Sequence, residues 1–149
     1  MPLIETKGAA SAQGFGEFAQ QTAATYIEDV FSTYLYTGNA STQTITNGID
    51  LSGKGGLVWS KARAGTQGAT GHNLFDTARG RAYDLYSNSA SVQFGPSSST
   101  QDLISFNSDG FTLGTAYWSN VNESSTTYVS WTFRKQPKFF DIVTWGLVS

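Results

Sequence analysis

Leu103-Ile104-Ser105-Phe106-Asn107-Ser108-Asp109-Gly110-Phe111-Thr112-Leu113 is the stretch whose reading decides the fold. Two short apolar, β-prone runs flank Asn107-Ser108-Asp109-Gly110. Asn and Asp side chains bond back to the backbone, and Gly supplies positive φ without a steric penalty, so the stretch predicts a β-hairpin. A third strand is expected over Tyr128–Arg134, after a loop at Tyr117–Ser125. There Val129, Trp131 and Phe133 alternate with Tyr128, Ser130, Thr132 and Arg134. Period-2 alternation predicts a half-buried strand, and the aromatic set is the expected core face.

The same signals recur along the chain. Val30–Tyr36 is β-prone, with Tyr34 and Tyr36 on one face and Leu35 on the other. Thr42–Ile45, Leu57–Lys61, Asn73–Thr77, Ala82–Tyr86 and Phe139–Trp145 read as further strands, and Val92–Phe94 as an edge strand. Turn signals fall at Thr37–Ala40 and Asn47-Gly48. The one helix candidate is Thr22–Phe31. Many short strands and no sustained helical period predict an all-β sandwich or jelly roll. Trp59, Phe106, Phe111, Val129, Trp131 and Phe133 are its expected core.

Length and composition set bounds. At 149 residues one domain is expected, and 39% hydrophobic content is enough for one core. Charged residues are only 13%, about half the usual share. Such a Ser/Thr/Asn/Gly-rich surface suits an extracellular, virion or assembly-embedded protein. The net charge of -2 argues against nucleic acid, since no basic stripe exists to release counterions. There are no cysteines, hence no disulfides or thiolate zinc sites. No apolar run reaches membrane-spanning length, and the N-terminus lacks the charged and apolar regions of a secretory signal.

Residues 1–24 read differently from 25–149. They are small and polar, with Leu3, Ile4, Phe15 and Phe18 as separated apolar groups. Such a segment cannot bury enough surface to order itself. It is either a free tail or an extended anchor arm that docks those four side chains into a partner.

Chemical motifs are sparse. Gly48-Ile49-Asp50-Leu51-Ser52-Gly53-Lys54 matches the start of a phosphate-binding loop, but Gly55 stands where a Ser or Thr must hold Mg²⁺. A strand, not a helix, is expected next, so the reading is a Gly-rich turn pair. His72 is the only histidine and reads as an exposed loop residue. Hydrolysis of glycosides needs two carboxylates across a cleft. No pair at alternate strand positions exists, and after Asp29 the only Glu is Glu123. No enzyme activity, cofactor or metal is expected. Asn107, Asp109 and Asp102 offer hard oxygens for Ca²⁺, but turn chemistry explains Asn107 and Asp109 without it. The sequons Asn39-Ala40-Ser41 and Asn122-Glu123-Ser124 are read as chance. Tyr117-Trp118-Ser119-Asn120 is the candidate ligand contact. Aromatic faces beside an amide suit stacking on a sugar ring, while Trp118 folded over the sandwich edge is the alternative.

Met1–Phe18 resembles the N-terminal peptide of virion proteins from tailed phages, marine ones especially. The remainder resembles their concanavalin A-like lectin/glucanase domain. The marks are Tyr36-Thr37-Gly38-Asn39, Asn47–Gly53, Gly56-Leu57-Val58-Trp59, Phe75–Gly80, Ser105–Phe111 and Trp131–Lys135. The resemblance implies a jelly-roll sandwich on a phage particle, a tail-fibre-like or adaptor subunit. Its partners would be other virion proteins bound through residues 1–24, with homo-oligomeric or symmetric copies. A carbohydrate-binding receptor module, reading a host surface glycan, and a head decoration protein are the alternatives. Longer members continue past Val143-Thr144-Trp145-Gly146, so this chain is expected to lack their distal part.

Overall fold

The structure, a computed structural model, describes residues 25–65, 71–117 and 119–144. Residues 1–24, which hold the expected arm, lie outside them. The hairpin forms where the turn chemistry puts it. Strand β6 (Leu103–Phe106) and strand β7 (Gly110–Leu113) pair antiparallel, with Phe106 opposite Phe111. Asn107 N–H donates to the Gly110 carbonyl at 2.8 Å. Gly110 has φ +152°, and a Cβ there would collide with the Ile45 carbonyl, so the position favours Gly on both counts.

The other strands are β1 (Phe31–Thr37), β2 (Gln43–Thr46), β3 (Gly56–Ala64), β4 (His72–Asp76), β5 (Asp84–Tyr86) and β8 (Thr127–Arg134). They form two antiparallel sheets, one in the order β1-β8-β3-β4-β5 and one in the order β2-β7-β6. Both contribute to one core. The larger sheet supplies Tyr36, Val58, Phe75 and Tyr128, and the smaller supplies Ile45, Leu103, Phe111 and Leu113. The chain is therefore all-β and sandwich-like. Among the described residues helix is limited to a 3-10 turn at Ile27–Asp29 and one α-turn, α1 (Leu51–Lys54). Asp50 caps α1 by accepting from Gly53 N–H at 2.8 Å. That turn occupies the Gly-rich segment and leads directly into β3, the arrangement that removes the phosphate-loop reading.

The face of β8 is the reverse of the sequence expectation. Tyr128, Ser130 and Thr132 are buried and point between the sheets. Trp131 and Phe133 lie half-buried on the outer face, together with Trp59 and Phe31. Of the six expected core residues, Phe111 is in the core and Phe106 packs against it. Val129 is buried, but on the outer side of its strand. The physical reason is that alternation separates two faces without saying which one is covered. The inner face tolerates polar side chains because each finds a partner: Tyr36 Oη bonds Ser60 Oγ at 2.8 Å, and Asn47 Nδ2 donates to Thr132 Oγ1 at 2.8 Å. The outer rings cover one another, with centroids 4.9 Å apart for Phe31–Phe133 and 5.1 Å for Trp59–Trp131.

Three smaller expectations change. Val92–Phe94 is not a strand, and only Phe94 makes a bridge, to Asp84. The segment after β8 turns at Pro137–Phe139 and lays Phe140 on Phe133, so no strand forms within Phe139–Thr144. His72 opens β4 beside Trp59 instead of ending a loop.

Candidate functional site

The loop over residues 115–123 closes one end of the two sheets, and buried polar side chains fix its path. Asp102, with φ +54°, turns the chain into β6. Its carboxylate accepts from Tyr117 N–H at 3.0 Å and Ser119 N–H at 3.3 Å. Tyr128 reaches the loop from β8, donating its hydroxyl to the Asn120 carbonyl at 2.6 Å and accepting from Glu123 N–H at 3.0 Å. Tyr36 stacks on Tyr128, centroids 5.0 Å apart, and donates to the Val121 carbonyl at 2.9 Å. Asn122 is fully buried. It donates to the Ser41 and Gly114 carbonyls at 2.6 and 2.7 Å and accepts from Asn39 N–H at 3.0 Å.

Electrostatics follow burial. Tyr36 is held far above the usual phenol range by desolvation, which its Ser60 hydrogen bond only partly opposes. Asp84, buried behind the loop, is raised first by desolvation. Its bond from Asn73 Nδ2, 2.9 Å, lowers it, and the charge of Asp102 raises it again.

The expected glycan contacts are only partly brought together. Tyr117 is 49% exposed and borders an open depression of about 590 Å³ lined also by Gln93, Phe94, Pro96 and Gln101. Asn120 is half-buried in a positive-φ conformation, with its carbonyl held by Tyr128. Trp118 lies outside the described residues, as do Leu3, Ile4, Phe15 and Phe18. The residues that shape the loop, Asp102, Asn122, Tyr36 and Tyr128, were missed as a group because they lie up to 85 positions from what they hold. Among the described residues no three His, Cys, Asp or Glu gather as a metal would require. Asp102 and Asn107 sit at opposite ends of β6, apart from each other. Asn107 instead accepts from Ser105 Oγ and donates to Thr112 Oγ1. No helix among the described residues is long and apolar enough to cross a membrane.

Fold and loop together define an all-β domain of two antiparallel sheets, closed at one end by a rigidly held loop. The chain belongs to a family described as a domain of unknown function, DUF7483, whose model matches residues 27–138. No curated protein and no solved structure matches it.

Proposed function

We propose that the protein is a structural subunit of a tailed-phage particle, a tail-fibre-like or adaptor chain attached through residues 1–24. Its domain is then a jelly-roll sandwich of the concanavalin A-like kind. The division of the strands between two antiparallel sheets, with the first and last strands, β1 and β8, adjacent in the larger one, is compatible with that topology. One observation carries the functional reading. Several polar residues of the segments that resemble phage virion proteins are engaged in building the fold. Asn47 bonds Thr132 and Ile49, Asp50 caps α1, and Asn107 closes the hairpin. Asp76 caps its own turn by accepting from Ala78 and Arg79 N–H and pairing with the Arg79 guanidinium. Residues engaged this way support a scaffold over a reaction centre.

Lys7 is the single lysine of the arm, which provides the test. Amine cross-linking of purified particles, followed by mass spectrometry, is expected to join Lys7 to other virion proteins. Cross-links from Lys7 only to the chain's own domain, or absence of the chain from purified particles, would overturn the reading. Exposed Tyr117 beside its depression favours a second reading, a carbohydrate-binding module on the same particle. Glycan-array binding lost in Tyr117→Ala supports that one. A head decoration role differs only in location and would be seen as cross-links to capsid protein.

A further inference from the structure

We infer that strand β1 is a self-pairing edge, through which two copies of this chain join their larger sheets across a two-fold axis. The hydrogen-bond parity of β1 is fixed at both ends: Arg134 N–H donates to the Val30 carbonyl and Gly38 N–H to the Thr126 carbonyl. Even-numbered residues therefore bond inward to β8. Phe31, Thr33, Leu35 and Thr37 aim N–H and C=O groups at the outer edge, where no other strand pairs with β1 among the described residues. Natural edges are protected by Lys, Pro, bulges or short length. Phe31-Ser32-Thr33-Tyr34-Leu35-Tyr36-Thr37 has none of these: seven residues, no charge, no proline and an unbroken register. Exposed large hydrophobic side chains also gather here, with Tyr26 at 61%, Ile27 at 59%, Tyr34 at 38% and Leu35 at 57%.

The occupant that fits is a second β1. Centring the two-fold on Thr33 sets Phe31 against Leu35 of the other copy, Thr33 against Thr33, and Ser32 against Tyr34. Apolar, hydroxyl and aromatic pairs of this kind stabilise strand pairing. Charge agrees, since Glu28 and Asp29 fall opposite Gly38 and Thr37 and not on each other. The arm fits less well, because its Gly, Ala and Gln residues are poor strand formers. Area sets the strength. An edge about 24 Å long and about 10 Å deep presents roughly 240 Å² per copy, under a third of the ~800 Å² per partner in a standard interface. Pairing is therefore weak for free chains and saturates where copies are crowded, as in an assembly. The inference does not rest on the virion reading, which a strictly monomeric chain would leave standing.

The test is sedimentation equilibrium and amide exchange on the full chain from about 10 µM to about 1 mM, the range where interfaces of this size dissociate. The mass is expected to rise from 16.0 kDa toward twice that. Amides of Phe31, Thr33, Leu35 and Thr37 should gain protection with concentration, while those of Ser32, Tyr34 and Tyr36 stay protected throughout. Thr33→Lys and Leu35→Lys should each abolish the rise, and Val92→Lys, at an exposed site elsewhere, should not. A constant 16.0 kDa mass, or association unchanged in both β1 variants, overturns the inference. So does protection of the odd-numbered amides at every concentration, which would place an occupant from the same chain on the edge.

Discussion

At the scale of single residues, the buried hydroxyls and amides hold the loop in place. Removing one leaves its backbone partners unpaired in a dry interior, which costs about 1–3 kcal/mol per group. Tyr128→Phe loses both the bond to Asn120 and the bond from Glu123, so its midpoint in denaturant should fall by an amount equivalent to about 2–3 kcal/mol. Asn122→Ala should cost at least as much, and both are read by urea unfolding. Asp84 adds a pH dependence. Its folded-state pKa lies above the unfolded carboxylate value, chiefly through desolvation. The native state therefore binds more protons than the unfolded chain in the window between the two values. Stability should fall as pH rises through that window and stay lower above it. Asp84→Asn keeps an oxygen to accept from Asn73 and loses the charge, so it should flatten this slope and raise the neutral-pH midpoint. An unchanged slope would show that Asp84 is not the titrating group.

At the scale of elements, the faces of β8 invert the naive ranking of its residues. Phe111, in the shared core, should cost about 3–5 kcal/mol on replacement by alanine. Trp131, larger but covered on one side only, should cost distinctly less, about 1–2 kcal/mol. Comparing the two variants by denaturant unfolding checks the assignment, and the reverse order would contradict it. The contrast also marks what is legible in a sequence. The β6–β7 hairpin was readable because its closing bonds are local: Asn107 N–H donates to the Gly110 carbonyl, and the Asn107 side chain bonds Ser105 and Thr112. The alternation of β8 was readable too. Which side faces inward was not, because that is decided by β2, β6 and β7 lying over Tyr128 and Thr132, far away in sequence. The loop at 115–123 was visible as a loop and as the place of Tyr117. Its staples were not, since nothing local ties Tyr36 to Val121 or Asn122 to Ser41.

At the scale of the whole molecule, a domain whose polar residues serve its own backbone, and whose larger sheet carries aromatic rings outward, is suited to assembly. In the proposed account residues 1–24 attach it to the particle. Ordering such a segment costs roughly 1–2 kcal/mol per residue, so on this account the partner surface is extensive and Leu3, Ile4, Phe15 and Phe18 are the proposed anchors. The direct measurement is incorporation of a chain lacking residues 1–24 into particles made in its absence from the phage genome. The account predicts a soluble domain with the same cooperative unfolding as the full chain, missing from purified particles. Particles carrying the truncated chain at the normal level would contradict it, and would place the attachment surface on the folded domain.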